Sequence, residues 1–123
     1  MPRAIKITAG GVSATGELND SRAGAAIAAK LPITAKAETW GDEIYFGLPF
    51  SAPSDDPRET VALGDLGYWP PGKAFCIFFG RTPVSQGDEI RPASAVTVVG
   101  RVTGDPRVFK KVRAGTGVTI EGV

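Results

Sequence analysis

Glu43 and Tyr45 stand two residues apart in the run Gly41-Asp42-Glu43-Ile44-Tyr45-Phe46-Gly47-Leu48, and on a strand that spacing puts a carboxylate and a phenol on one face. Together they offer a ligand an acceptor and a donor. If it is buried, Glu43 gains a raised pKa suited to acid–base work, whereas an exposed strand carboxylate does not. Trp40 lies just upstream, and Trp69 leads into Pro70-Pro71. Rigid aromatic rings beside prolines make grooves that accept apolar or prolyl groups at low entropic cost, although the same rings also plug the ends of barrels. Tyr68 shares both readings. Arg81 follows Gly80 at the end of an apolar run, where loops carry functional groups and a guanidinium can grip a carboxylate or carbonyl. The candidate ligand-binding set is therefore Trp40, Glu43, Tyr45, Trp69 and Arg81, with Arg91 and Ser94 making a weaker claim.

Other chemistries are excluded by what the 123 residues lack. There is no histidine, so neither a Ser-His-Asp nor a Cys-His pair can form, and imidazole cannot bind a metal. No second acid stands in a fixed relation to Glu43, so no glycosidase-like carboxylate pair follows, and no catalytic residue is assigned. Asp55-Asp56 with Glu59 lacks the spacing of a calcium loop, and no phosphate-cradling GxxxxGK[ST] string occurs. The expectation is no metal and no cofactor. Arg107, Lys110, Lys111 and Arg113 cluster near the end, but the net charge is only +1 and no nucleic-acid-binding signature accompanies them. Nucleic acid is not an expected partner. From Glu38 to Asp65 seven acids meet one base, and from Leu66 to Arg113 eight bases meet three acids; folding can segregate these charges or interleave them as surface pairs.

The single cysteine, Cys76, sits within Ala74-Phe75-Cys76-Ile77-Phe78-Phe79, which reads as a buried, inert thiol with no disulfide partner. That suits a reducing cytoplasm. No apolar run reaches the ~20 residues a membrane span needs, and Met1 to Lys6 lacks the apolar core of a signal peptide. A cytoplasmic location and no membrane partner are expected.

The elements that must position the candidates follow from periodicity and turn chemistry. Arg3 to Thr8 and Val12 to Leu18 flank Gly10-Gly11 and read as an opening hairpin. Asn19, Asp20 and Ser21 can cap an alanine-rich helix from Arg22 to Leu31 that Pro32 ends. Ile33 to Thr39 is expected to be extended, and Glu43 to Leu48 alternates as a strand. Pro49, Pro53 and Pro57 mark a surface loop from Pro49 to Glu59. Thr60 to Leu63 then begins the return. Pro71-Gly72 suits the centre of a type II turn with positive φ at the glycine.

Beyond that turn, Ala74, Cys76 and Phe78 point one way and Phe75, Ile77 and Phe79 the other. Neither set is polar, so this strand is buried on both faces, one in an interior and one under a helix or second layer. Ala95 to Val102 reads as a β-branched strand. Asp105-Pro106 opens a short helix to Val112, and Thr116 to Val123 supplies a last strand. Gly-Asp-Glu-Ile recurs at 41 to 44 and 87 to 90, with unlike flanks that indicate two independent turn-to-strand entries. The expected fold is one mainly β domain over 1–123, a closed barrel of about eight strands with two short flanking helices.

Three blocks resemble the small prokaryotic cyclophilin-like proteins. They are Thr39-Trp40-Gly41-Asp42-Glu43-Ile44-Tyr45-Phe46, Leu63 to Pro83 around Gly-Tyr-Trp-Pro-Pro-Gly-Lys, and Arg91-Pro92-Ala93-Ser94-Ala95-Val96-Thr97-Val98-Val99-Gly100. The resemblance implies a compact closed barrel similar in fold to the peptidyl-prolyl isomerases. It carries no catalytic residues across, because cyclophilins use an arginine beside the twisted amide together with a histidine and a tryptophan. Here the histidine is absent and the arginine has no matching motif. Fold alone does not name a reaction.

The leading functional expectation is a barrel that binds a small molecule or short peptide in an aromatic-lined cleft. A prolyl isomerase is the enzyme alternative. A structural or interaction module is the third, and self-association stays open.

Overall fold

The computed structural model describes residues 2–123. Nine strands form one antiparallel sheet: β1 (Arg3–Ala9), β2 (Val12–Leu18), β3 (Ile33–Lys36), β4 (Glu38–Thr39), β5 (Glu43–Gly47), β6 (Asp65–Trp69), β7 (Ala74–Phe78), β8 (Thr97–Val102) and β9 (Gly117–Gly122). Their order is β3-β9-β1-β2-β8-β6-β7-β5-β4. The two ends of that order, β3 and β4, are consecutive in the chain, so the sheet curls until one segment joins its edges. This is a nearly closed barrel.

The barrel of about eight strands is present, with Ile33 to Thr39, expected as one extended segment, divided into two strands. The structure breaks that segment at Ala37, where β3 pairs with β9 and β4 pairs with β5. Ala37 is fully buried, its N–H donates to Thr116 O at 2.8 Å, and its carbonyl accepts from Gly115 N at 2.7 Å. A single residue passes the chain from one sheet edge to the other.

Alternation gives each long strand one face in the barrel interior, while β5, β6 and β7 also feed a second core on their outer face. Ile5, Ile7, Ile44, Phe75, Ile77 and Ile120 belong to the barrel interior, where Phe46 and Phe75 stack with centroids 5.4 Å apart. The helix α1 (Arg22–Ala28) is shorter than expected and begins at Ser21, whose side chain accepts from Gly24 N. Its Ala23 and Ile27 are buried in the same interior. The second expected helix is a 3₁₀ segment, Pro106–Lys111, with Asp105 accepting from Arg107 N. Tyr68 also points into the interior, and its hydroxyl accepts from Ala52 N at 3.1 Å. The Pro49 to Glu59 loop is thus more than surface, since Phe50 and Ala52 pack against the interior.

All five residues of β7 are buried. The layer over its outer face is irregular chain rather than a helix. Ala74, Cys76 and Phe78 form a second, smaller core with Ile90 and Val96. Bridges between Arg58 and Val96 and between Val61 and Ile90 tie this strap together. Its base is pinned by buried Thr82, whose hydroxyl donates to Arg91 O, and by Ser85 Oγ, which accepts from Thr82 N and Arg91 N.

The acidic and basic runs meet at Lys110–Asp42, and other segments pair with each of them. Arg22–Asp55, Arg101–Glu17 and Lys110–Asp42 join distant segments at 3.5, 3.3 and 3.6 Å. These exposed pairs each contribute little. Among the described residues no helix is long and apolar enough to cross a membrane.

Candidate functional site

Register explains why one cavity forms outside the barrel wall. Glu43 pairs with Phe78 and Tyr45 with Cys76 across β5 and β7, while Gly67 and Trp69 of β6 pair with Cys76 and Ala74. Paired residues share a face, so all these side chains leave the barrel on its outer side. Over Gly67 the strap closes tightly, since an added Cβ would meet Phe78 at 3.1 Å and Val96 at 3.2 Å, and beyond that point it covers only part of the surface. A cavity of about 250 Å³ remains, lined by Trp40, Glu43, Tyr45, Trp69, Cys76, Pro92, Ala93 and Val96.

Of the five candidates, four meet at this cavity and Arg81 does not. Arg81 is exposed, and its guanidinium donates to Ser85 O at 3.1 Å. Its backbone carbonyl serves the site indirectly, by accepting from Asp42 N at 2.9 Å and so holding the turn that carries Trp40. Arg91 pairs with Glu89 at 2.6 Å and does not line the cavity. Among the described residues no lysine or arginine does.

The turn after β6 differs from the expected type II geometry. Pro70–Gly72 form one 3₁₀ turn closed by Lys73 N donating to Pro70 O at 3.1 Å, and positive φ falls on Lys73 instead. Two prolines near φ −65° favour that form. The glycine is needed for space. A Cβ at Gly72 would lie 2.8 Å from the Trp69 ring, so the missing side chain lets the indole fold back beside the turn. The Trp69 indole N–H then donates to Ser94 Oγ at 2.7 Å, clasping wall to strap. Ser94→Ala is expected to cost about 1 kcal/mol and to speed amide exchange across 91–96. Unchanged exchange would mean that apolar contacts alone hold the strap.

Glu43 is the chemical centre. It is only 6% exposed, and no cation lies within ion-pair distance of it among the described residues. Burial pushes its pKa up to about 7, opposed by the neighbouring Cys76 thiol. Burial, and then the neighbouring carboxylate, push Cys76 well above the usual thiol range. The thiol stays protonated and unreactive, while Glu43 can exchange its proton near neutrality. Apolar walls with one titratable carboxyl suit recognition of a small group through a single polar anchor.

Sequence reasoning missed Cys76, Pro92, Ala93 and Val96 as lining residues. Alternation does place Cys76 on one face of β7, but only the β5–β7 register shows that face to be the one bearing Glu43 and Tyr45. In the Arg-Pro-Ala-Ser segment residue chemistry points to Arg91 and Ser94. The cavity instead uses its apolar middle.

A family model described as cyclophilin-like matches residues 3–121. A solved structure similar to this chain is the solution structure of a hypothetical protein from Archaeoglobus fulgidus, at 39% identity and a TM-score of 0.78, covering 99% of this chain and 95% of that one. No curated protein matches the chain.

Proposed function

The chain belongs to the cyclophilin-like family, and from that premise we propose that it is a binding protein whose outer cleft takes a small molecule or the end of a short peptide. The observation that carries this reading is Glu43, a buried carboxyl with no partnering cation at an aromatic-walled cavity. A purely structural wall gains nothing from such a group, because desolvating a carboxylate without a partner costs stability. Its retention there fits a ligand that completes the pairing.

Size bounds the ligand. At about 30 Å³ per water in the liquid, the cavity has room for about eight waters, or a group of roughly six to ten non-hydrogen atoms. That is one side chain or one small metabolite.

The isomerase reading is less well supported. It requires an arginine hydrogen-bonding near the prolyl nitrogen, and Arg81 and Arg91 are engaged with Ser85 and Glu89. Thermal-shift screening against small metabolites and prolyl peptides tests the binding reading. A ligand is expected whose stabilisation is lost in Tyr45→Ala and kept in Arg81→Ala. Equal loss in both variants, or a ligand indifferent to both, would overturn the assignment of this cleft. Isomerisation of prolyl tetrapeptides is expected to stay at the uncatalysed rate.

A further inference from the structure

We propose that the group this cleft recognises is an organic cation, a methylated ammonium held between Trp40, Tyr45 and Trp69 with Glu43 as its counter-ion. The inference rests on the cleft being the binding site and adds the ligand's charge and class. Three observations point the same way. The cavity walls combine two indoles and a phenol, whose electron-rich faces attract cations most strongly where water is excluded. Among the described residues Glu43 is the only acidic side chain lining the cavity and no basic side chain lines it, so the local field favours positive charge. The remaining lining, Pro92, Ala93, Val96 and Cys76, is apolar and can pack against methyl groups while offering few acceptors to compete with Glu43.

Charge separates this class from its rivals. A carboxylate or phosphate ligand would meet Glu43 with no arginine or lysine at the cavity to offset the repulsion. A neutral amide or alcohol could accept a hydrogen bond from protonated Glu43 and pack against the rings, but it gains no electrostatic attraction from their faces. A methylated ammonium uses both. It also fits the size limit, since a trimethylammonium head with a short tail is a ligand of fewer than about ten non-hydrogen atoms.

A protonic consequence follows. The cation favours ionised Glu43, so binding displaces the carboxyl proton into solvent. The other titratable groups at the cavity are the Tyr45 phenol and the Cys76 thiol. Cys76 stays protonated throughout the neutral range. From the strap, Arg91 is already paired with Glu89. Affinity for the cation is therefore expected to rise as pH rises through about 7 and then level off.

The test compares choline with its neutral carbon isostere, dimethylbutanol, by following the Trp40 and Trp69 indole N–H signals and by calorimetry in buffers of different ionisation enthalpy. Choline is expected to bind at least about tenfold more tightly than the isostere, with proton release below neutral pH that disappears above it. Glu43→Gln is expected to weaken choline at least about tenfold while leaving the isostere unchanged. A short peptide carrying trimethyllysine, run beside choline, distinguishes a modified chain from a free solute as the source, and tighter binding of either supports the cation. Equal affinity for choline and dimethylbutanol, or indifference of choline to Glu43→Gln, overturns the cation and leaves the cleft reading standing. The same holds if neither probe moves the indole signals but a neutral metabolite from the thermal-shift screen does. If nothing moves them, both readings fall.

Discussion

Glu43→Gln is expected to raise the melting temperature by up to about 12 °C at about pH 8 and to leave it nearly unchanged at about pH 4. The sign follows from the two protonation states. Below its usual pKa of 4.5 the carboxyl is neutral whether the chain is folded or not, and its burial carries no charge penalty. Between 4.5 and about 7 the folded protein keeps a proton that the unfolded chain has released, so stability falls as pH rises. Above about 7 both states are ionised and the loss is complete. The ceiling is about 3 kcal/mol, reduced by any water that enters the cavity beside the carboxylate. At about 4 °C per kcal/mol for a chain of this length, that gives the stated shift. Glutamine keeps the shape and removes the charge. Equal melting temperatures for the two proteins at both pH values would show that Glu43 is ionised and solvated in the folded state, and the argument for a ligand-completed charge would go with it.

A site residue that costs stability when no ligand is bound is what a binding cleft requires and a packing role does not. This was partly legible in the sequence. The two-residue spacing of Glu43 and Tyr45 was enough to put them on one face, because strand periodicity is local. Whether that face was wet or dry was not, since the cavity at Glu43 is walled by Pro92, Ala93 and Val96, some fifty residues downstream, and depends on the depth to which their strap descends. Arg81 shows the converse. Its place at the end of the apolar strand was right, but its side chain turns to Ser85, a contact made by loop geometry that periodicity does not encode.

The fold was more legible than the site, for the same reason. Turn chemistry and alternation are written within a few residues, and they placed the opening hairpin, β5, β7 and the last strand to within a residue or two. What they could not supply was the seam at Ala37, whose backbone pairs with Gly115 and Thr116 far downstream in the chain. The Pro-Pro-Gly turn was misread in detail because the glycine suggests positive φ. Its actual constraint is the volume of Trp69, visible only once the indole is in place.

Glycines at strand crossings hold the largest mechanical consequence. Gly100→Ala is expected to destabilise the protein by at least about 3 kcal/mol, a large share of the roughly 5–15 kcal/mol available to a domain. β2 and β8 join the two halves of the barrel through a short ladder, Gly16 with Val102, Glu17 with Arg101 and Leu18 with Gly100, extended at its ends by Thr103 N donating to Thr15 O and Asn19 N donating to Val99 O. A Cβ on Gly100 would overlap the backbone carbonyl oxygen of Glu17 and press on Leu18 Cα at 3.0 Å. Backbone cannot swing aside as a side chain can, so the strands must part.

Gly16→Ala meets Arg101 O at 2.7 Å and is expected to cost less, about 1–3 kcal/mol. Gly117→Ala, whose added Cβ meets nothing, is expected within about 0.5 kcal/mol of the parent. Urea midpoints at constant slope give all three values. The double variant sharpens the test: once Gly100→Ala has opened the seam, Gly16→Ala has little left to displace, so the pair should cost less than the two singles added. Strict additivity, or a Gly100→Ala cost no larger than that of Gly117→Ala, would mean that β2 and β8 do not close the barrel in solution.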